Sequence, residues 1–360
     1  MTSQDALDKA SNARPGEEID AEILGQFLAE RLEGFEGPLT VRQFTRGHSN
    51  LTYLLSTPSR EYVLRRPPFG AKEIKAGHDM LREHRVLAKL APIYRKAPMP
   101  RVAVGDEESP IGAPFYVMDR VEGVILRASP PKGVSLTPQV MRSLSIATVD
   151  ALAELHAIDI ESTGLIELGK PDGYISRQVS GWTERYSKAR TDQIDAMEST
   201  ARWLLDHIPT SSRRATVIHN DFKYDNMVLD PNDLSQIKAV LDWEMSTVGD
   251  PRMDLGTTLA YWFTENDPDE LRTLPLGLTS LPGNLNRREV LDRYIEKTQQ
   301  PFDDALFFYV FSLFKVAVIA QQIYFRFARG YTQDPRFGTM IMGVHLLGQA
   351  AERSIQTGVI

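Results

Sequence analysis

A polar hairpin between two short apolar strands constrains this chain more than any other part of its sequence. Apolar runs at 215–218 and 237–241 predict the two strands. His219-Asn220-Asp221 and Asn226 follow the first run, and Asp242 follows the second. Residues at the point where a strand gives way to a turn can direct their side chains into a pocket. The sequence therefore predicts that one hairpin presents carboxylate and amide oxygens together.

The first segment has the spacing H-x-D-x-x-x-x-N, which is typical of the catalytic loop of phosphoryl-transfer enzymes. Asp221 in this position is a candidate general base that takes the proton of a substrate hydroxyl. The alternative is an aspartate that closes a turn. Lys223 lies within a short reach of a transferred phosphoryl group, and a solvated surface lysine is an equal alternative. His219 is interpreted as an orienting or core histidine, because Asp221 already supplies the base.

Asn226 and Asp242 offer the oxygen ligands that Mg²⁺ prefers, so the sequence predicts that they hold a magnesium ion. The alternatives are a turn residue at Asn226 and a helix N-cap at Asp242. Further along, Asp254 is expected either to cap the helix that follows or to brace the catalytic loop.

The chain of 360 residues, 42% of them hydrophobic, is long enough for one large domain or two lobes. We expect a flexible leader at 1–18, a β-rich lobe at 19–120 and a mainly α-helical lobe at 121–360. The fold class is therefore α+β, with a small antiparallel β lobe and a larger helical lobe. The predicted strands of the small lobe are 39–44, 50–56, 61–66 and 115–121, and its predicted helices are 20–32 and 75–90. In the larger lobe, helices are predicted at 137–157 and 175–190.

Several residues of the small lobe are candidates for nucleotide binding. Gly47-His48-Ser49-Asn50 joins two predicted strands, so its backbone N–H groups are candidates for folding over phosphates. With one glycine only, it is equally compatible with an ordinary hairpin. Glu83 falls on the apolar face of its predicted helix, where a carboxylate needs a partner. Arg65, on a neighbouring strand, is the predicted partner. The alternative is an exposed glutamate on a helix whose register is misassigned.

Arg177, Trp182 and Arg185 lie on the helix predicted at 175–190. Their guanidinium and aromatic groups suit an anionic substrate such as a thioester that carries a nucleotide. A solvated helix face with one buried tryptophan is the alternative.

Composition narrows the classes of partner. The formal net charge of −7 argues against nonspecific nucleic-acid binding, and the absence of cysteine excludes disulfides and thiolate metal sites. The apolar run at 307–327 contains Lys315, Gln321, Gln322 and Arg326, so it predicts a buried helix rather than a membrane span. We therefore expect a cytoplasmic protein whose oligomeric state stays open.

From about residue 35 to its end, the chain resembles the aminoglycoside phosphotransferase and choline kinase family, which has a protein-kinase-like, two-lobed fold. The motifs that carry the resemblance are His219-Asn220-Asp221 with Asn226, Leu241-Asp242-Trp243-Glu244, Asp250-Pro251 with Asp254-Leu255-Gly256, the segments 47–53 and 62–68, and Leu152-Ala153-Glu154-Leu155-His156. Together they resemble the branch that occurs fused to acyl-CoA dehydrogenase modules.

The resemblance implies a kinase that uses ATP and Mg²⁺, with Asp221 as base and Asn226 and Asp242 as metal ligands. It also implies that the strand containing Met118 leads through Val121 into the adenine-binding hinge. The implied acceptor is a small-molecule hydroxyl, with a hydroxyacyl-CoA thioester as the candidate of this branch. Aminoglycoside or amino-alcohol kinases and a pseudokinase that only binds nucleotide or acyl-CoA are the alternatives.

The chain departs from the wider kinase pattern in three respects. Asn220 stands where the family usually has glycine, and Trp243-Glu244 replaces the Phe-Gly of protein kinases. Arg65 stands where protein kinases have lysine. Arginine can bind phosphate and a carboxylate in a bidentate manner, but its geometry differs from that of lysine.

Overall fold

The computed structural model describes residues 7–45, 50–68, 79–332 and 334–360. The contacts between residues that are close in space divide the chain into two compact units. The first, called the sheet unit, holds the described residues up to Ile125 together with Asn226–Ser246. The second, called the helical unit, holds Leu126–Asp225 and Thr247–Ile360.

Helices and short strands account for about half of the described residues. The strands are β1 (Thr40–Phe44), β2 (Leu51–Ser56), β3 (Glu61–Arg66), β4 (Pro100–Val104), β5 (Phe115–Asp119), β6 (Thr216–Ile218), β7 (Met227–Leu229), β8 (Ile237–Val240) and β9 (Thr247–Gly249). The helices are α1 (Ala21–Ala29), α2 (Met80–Leu90), α3 (Pro138–His156), α4 (Tyr174–Ala189), α5 (Asp195–Asp206), α6 (Pro251–Ala260), α7 (Asp269–Arg272), α8 (Arg287–Thr298), α9 (Ala305–Ala328), α10 (Pro335–Gly338) and α11 (Met340–Thr357).

The sheet unit is built on a five-stranded antiparallel sheet with the order β1-β2-β3-β5-β4. Residues 62–66 of the central strand β3 are all buried, and because successive side chains point to opposite faces, both faces of the strand are covered. Helix α1 begins at the N-cap Asp20, whose carboxylate accepts two backbone N–H groups of the first turn. Its Leu24 and Leu28 pack in one core with Leu64 and Phe115 of the sheet.

Two boundaries predicted from the sequence differ from the structure. The described part of the expected flexible leader, residues 7–18, is hydrogen-bonded to the sheet. The backbones of Ser11 and Gln43 form a bridge, and the Tyr53 hydroxyl donates to the Glu17 carbonyl at 2.7 Å. The β7–β8 hairpin, expected in the helical lobe, belongs to the sheet unit instead. The Val240 N–H donates to the Lys96 carbonyl, so this hairpin is tied to the segment after α2.

Strand β4 is absent from the sequence-based prediction. It begins with Pro100, and proline, which lacks an N–H, argues against a strand in a sequence pattern. In the structure β4 is an edge strand, where proline is tolerated because no inner ladder bond is lost.

Helix α9 forms the centre of the helical unit. It packs against α4, α6 and α11, and a Cβ added at Gly256 of α6 would lie 2.6 Å from the Phe308 carbonyl oxygen, so glycine permits this close approach. Within the described residues, α9 is the one helix with the length and apolar composition to cross a membrane. Since 78% of its apolar window is buried inside the protein, its environment is that of the buried helix predicted from the sequence.

Replacement of Phe115 by alanine tests the core of the sheet unit. The ring is fully buried and packs edge-on against Phe27 at 6.2 Å between ring centroids. We expect Phe115→Ala to lower the free energy of unfolding in urea by about 3 to 5 kcal/mol. Ile23→Ala, at a half-exposed position on α1, is the control and should change it by less than about 1 kcal/mol. Equal effects of the two variants would contradict this description of the core.

Candidate active site

In the helical unit, the candidate catalytic loop, residues 219–225, begins directly after β6 and is fixed by Asp254. The backbone N–H groups of His219 and Asn220 donate to the two oxygens of the Asp254 carboxylate at 2.6 and 2.7 Å. Asp254 is fully buried within α6, and the N-cap of that helix is Asp250. Asp254 was predicted either to cap the helix or to brace the loop, and in the structure it braces the loop.

Histidines surround the same carboxylate. The His156 Nε2 donates to Asp254 at 3.1 Å, and the Tyr294 hydroxyl lies 2.6 Å from the His156 Nδ1. Burial alone would raise the pKa of Asp254, but the hydrogen bond from His156, the nearby His219 ring and the His219 N–H outweigh it, so this pKa lies below its usual range. Asp254 is therefore ionised at neutral pH.

The Asp221 backbone is held by His219. Its N–H donates to the His219 Nδ1 at 3.2 Å, so this ring nitrogen acts as an acceptor. The intervening Asn220 has a φ of 68°, in the left-handed region where glycine is favoured and asparagine is tolerated. Asparagine therefore fits at a position where the resemblance implies glycine.

Lys223 contacts the candidate base directly. Its Nζ lies 3.1 Å from the Asp221 Oδ1 and 4.4 Å from the centre of the Tyr261 ring. Burial lowers the pKa of Lys223, but Asp221, Tyr261 and Asp225 raise it well above its usual range. The solvated-surface alternative is therefore wrong, and Lys223 is a charged partner of Asp221.

Asp225, Tyr261 and Lys315 also belong to the surroundings of the catalytic loop, and sequence reasoning assigned them no site role. Burial raises the pKa of Asp225, against the charges of Lys223 and Arg127. The signal for Lys315 was available, since it is a lone lysine in the most apolar stretch of the chain. Tyr261 follows α6, and its position gave no comparable signal.

In the sheet unit, Arg65 of β3 is the centre of a cluster of acidic groups. Its guanidinium lies 2.6 Å from Glu83 of α2, 3.0 Å from Asp242 and 3.5 Å from Glu244. The predicted pair of Arg65 and Glu83 is therefore present, and Glu83 lies on the buried face of α2. Burial lowers the pKa of Arg65, but Glu83 and Asp242 raise it above its usual range, so the arginine stays charged.

Asn226 and Asp242 lie at the same end of the β7–β8 hairpin. The Leu241 N–H donates to the Asn226 carbonyl at 2.7 Å, and Asp242 follows at once with a left-handed φ of 66°. One amide and one carboxylate oxygen suit Mg²⁺, which usually takes one or two protein carboxylates together with phosphate oxygens and water. The described residues contain no cluster of three or more histidine, cysteine or acidic side chains with metal-binding geometry. The donor set therefore fits Mg²⁺ that arrives with phosphates better than a metal held by the protein alone.

The segment Trp243-Glu244 is held by several hydrogen bonds. Trp243 is buried, its N–H donates to Glu83 at 3.2 Å and its indole donates to the Val240 carbonyl at 2.8 Å. The Arg82 guanidinium donates to the Glu244 carbonyl at 2.9 Å and also to the Ser246 carbonyl. These contacts favour one fixed conformation of the segment.

The remaining predicted nucleotide residues lie in different surroundings. Gly47 and Ser49 are outside the described residues, whereas the Asn50 side chain donates to Glu244 at 2.6 Å. Met118 is buried in β5 opposite Val63 of β3. Val121 is partly buried against the small apolar cluster of Ile125, Val228 and Ala239.

The three predicted substrate residues on α4 have different neighbours. Arg177 is exposed and donates to the Lys170 and Asp172 carbonyls, so it closes the turn before α4. Trp182 is buried, and the Arg185 guanidinium lies 4.5 Å from the centre of its ring. The geometry fits the alternative of a solvated helix face with one buried tryptophan.

The residues around Asp221 in the helical unit, the residues around Arg65 and Asp242 in the sheet unit, and the fold are typical of protein-kinase-like phosphotransferases. The profile of the phosphotransferase enzyme family matches residues 40–287, more than half of the chain. The chain belongs to this family.

Two curated relatives match most of this chain. It is 35% identical over 326 residues to human acyl-CoA dehydrogenase family member 11 and 35% identical over 297 residues to mouse family member 10. These matches cover 88% and 82% of the chain but only 40% and 27% of the relatives. The chain thus spans less than half the length of these curated relatives.

Solved structures give the same fold. A Ralstonia eutropha JMP134 structure, provisionally described as an aminoglycoside phosphotransferase, is 30% identical with a TM-score of 0.79. The match covers 94% of this chain and 99% of that one. Choline kinase from Cryptosporidium parvum Iowa II, at 13% identity and a TM-score of 0.62, covers 95% of this chain and 98% of its own, and it supports the fold alone.

Replacement of Asp254 tests the brace of the catalytic loop. Asp254→Asn keeps the shape but loses an acceptor, so we expect a loss of about 3 to 5 kcal/mol of unfolding free energy at neutral pH. Because the folded-state pKa of Asp254 is lowered, its ionisation stabilises the fold above the unfolded pKa, and this contribution is lost as pH falls below about 4. Urea titrations between neutral pH and pH about 3 should show the difference between wild type and variant shrinking on acidification. A difference independent of pH would contradict the assignment.

Replacement of Arg65 tests the acidic cluster in the same way. Arg65→Met leaves Glu83 buried without its cation, so we expect a loss of about 3 to 5 kcal/mol in urea unfolding. The double variant Arg65→Met with Glu83→Gln should recover part of this loss. Arg101→Met, which removes a partly exposed pair with Asp119 on the same sheet, is the control and should cost less than about 1 kcal/mol. No recovery in the double variant would show that the pair does not account for the loss.

Proposed function

We propose that this protein is an ATP- and Mg²⁺-dependent small-molecule kinase that transfers the γ-phosphoryl group of ATP to a metabolite hydroxyl. The observation that carries the proposal is the set of contacts around Asp221. The backbone that leads to Asp221 is braced by Asp254, and the Asp221 carboxylate is paired with the charged Lys223 at 3.1 Å. Membership of the phosphotransferase enzyme family supports the same reaction.

In the proposed reaction, Asp221 orients the substrate hydroxyl and takes its proton. The hydroxyl oxygen forms the new bond to the γ-phosphorus, and the bond from that phosphorus to the bridging oxygen breaks, releasing ADP. Lys223 is a permanent cation beside Asp221 and offsets negative charge on the transferred group. Positioning and charge neutralisation provide most of the rate in this class of reaction.

Asn226 and Asp242 are the residues that would hold Mg²⁺. When bound, the ion neutralises charge on the ATP phosphates. Arg65 is the proposed phosphate contact of the sheet unit, since arginine binds phosphate in a bidentate manner while it keeps a carboxylate partner. Its bonds to Asp242 and Glu244 keep the guanidinium next to the candidate metal ligand.

We further propose a hydroxyacyl-CoA as the acceptor. The curated relatives that match this chain carry acyl-CoA dehydrogenase names, and this supports a substrate from acyl-CoA chemistry.

The test is a panel of acceptors with ATP and Mg²⁺: hydroxyacyl-CoAs, choline-like amino alcohols and aminoglycosides. We expect ADP formation and a phosphorylated product with a hydroxyacyl-CoA. Asp221→Asn should lower kcat by about 10² to 10⁴-fold because the base is lost. Asp233→Asn, in the exposed turn before β8, is a control of the same chemistry and should retain full activity.

A second measurement separates a kinase from a nucleotide-binding protein without activity. Mg²⁺-dependent stabilisation by ATP in thermal unfolding reports binding alone. Binding without transfer to any acceptor class would overturn the proposed kinase activity and leave a pseudokinase. Transfer to an amino alcohol or aminoglycoside only would overturn the proposed acceptor and leave the kinase.

A further inference from the structure

The most unusual charge in the helical unit is Lys315 in the middle of α9. Lys315 is only 3% exposed, and the residues next to it in the sequence of α9 are apolar. A buried ammonium is costly unless its N–H groups are satisfied. A lysine at this buried position therefore needs a physical explanation, and the proposed reaction assigns it no role.

The acceptors of this ammonium lie mainly on the catalytic loop. The Lys315 Nζ lies 3.0 Å from the Asn220 carbonyl oxygen, 3.4 Å from the Asn220 Oδ1 and 3.4 Å from the Thr257 Oγ1. These three neutral oxygens match the three donors of an ammonium group. Two of the three belong to the residue directly before Asp221.

The contact with the Asn220 carbonyl completes the support of one peptide unit. That carbonyl and the Asp221 N–H belong to the same planar peptide group. The N–H donates to His219 Nδ1 at 3.2 Å, and the carbonyl accepts from Lys315. Both ends of the peptide that carries Asp221 are therefore fixed by side chains.

The peptide needs this support because Asn220 adopts a left-handed backbone with a φ of 68°. Residues other than glycine enter this region at a cost, so surrounding contacts must hold them there. Asp254 holds the N–H side of Asn220, the Tyr174 hydroxyl lies 3.4 Å from its Nδ2, and Lys315 holds its carbonyl side.

We propose that Lys315 is a positioning residue of the catalytic loop, and that its ammonium holds the Asn220–Asp221 peptide in the orientation in which Asp221 acts as the base. This inference rests on the proposed kinase function for its kinetic consequences, but its structural consequence is measurable without any substrate.

The electrostatic surroundings make this support sensitive to pH. Burial lowers the pKa of Lys315 to about 8, against Asp221 and Asp254, which raise it, and together with Lys223 and Arg185, which lower it further. These groups reach Lys315 from the catalytic loop, from α6 and from α4. Below this pKa the ammonium donates to the loop, and above it the neutral amine is a weaker donor.

Lys315→Met tests the positioning role. A small displacement of a catalytic group is costly, so we expect kcat to fall by about 10- to 100-fold while the KM for ATP stays within about twofold. Gln321→Met is the matched control. Gln321 lies on the same helix, is equally buried and donates to the Ala189 carbonyl at 3.0 Å, away from the catalytic loop. Its replacement should lower stability but leave kcat unchanged.

The pH profile distinguishes positioning from mere packing. In the wild type we expect kcat to fall as pH rises through about 8. Lys315→Arg keeps its charge at all these pH values, so this fall should disappear and activity at low pH should be retained. A fall at the same pH in Lys315→Arg, or a loss of kcat in Gln321→Met equal to that in Lys315→Met, would overturn the proposal.

Amide hydrogen exchange tests the same proposal when no activity is found. Peptides covering 219–225 should lose protection in Lys315→Met but not in Gln321→Met. In the wild type their protection should also decrease between about pH 7 and 9, after correction for the intrinsic pH dependence of exchange. Unchanged protection in Lys315→Met would overturn the positioning role whatever the reaction. Lost protection in a protein inactive on every acceptor would support the positioning role and count against the proposed kinase function alone.

Discussion

The buried carboxylate of Asp254 determines the shape of the loop on which the chemistry depends. Two backbone N–H groups, from His219 and Asn220, end on its two oxygens, and His156 donates to it from α3. Charged acceptors form stronger hydrogen bonds than neutral ones, particularly where water is excluded. A single charge inside α6 thus joins β6, α3 and the catalytic loop, and the left-handed turn at Asn220 is held from its N–H side by the same group.

A comparable cluster organises the sheet unit. Arg65 balances Glu83, Asp242 and Glu244, and Glu83 also accepts the N–H of Trp243. This arrangement ties β3, α2 and the end of the β7–β8 hairpin together through one guanidinium. An arginine suits the task because its planar donors can serve several carboxylates at once. The same geometry leaves Asp242 already paired, so a metal ion arriving with phosphates would bind beside a fixed cation.

The sequence predicted much of this structure where strong local signals exist. Strand β3 was predicted from the run at 61–66 and helix α1 from the amphipathic pattern at 20–32. The pair of Arg65 and Glu83 follows from the need to satisfy a carboxylate on an apolar helix face. The short strands β7 and β9 were not predicted, since three residues show little periodicity, whereas the equally short β6 was predicted from its apolar run at 215–218. The placement of the β7–β8 hairpin depends on a long-range bond to Lys96, which no local pattern encodes.

Within the site, residue type and spacing along the chain marked Asp221, Asn226 and Asp242 as candidates, whereas Lys315 required the tertiary structure. A lysine in an apolar helix is visible in the sequence, but its partner, the carbonyl of Asn220, is 95 positions away. The substrate role of the α4 residues stays a prediction; the structure shows Arg177 engaged by nearby backbone carbonyls, a contact that the sequence pattern did not predict.

The central claim is that Asp221 promotes transfer of a phosphoryl group from ATP to a hydroxyl. The most direct measurement uses ATP labelled with ³²P in the γ position, with the separated acceptor counted after incubation with wild type and with Asp221→Asn. Label in the acceptor with the wild type, and nearly none with Asp221→Asn, is the predicted result. Label that appears only as inorganic phosphate, or that enters the acceptor equally with both proteins, would contradict the claim.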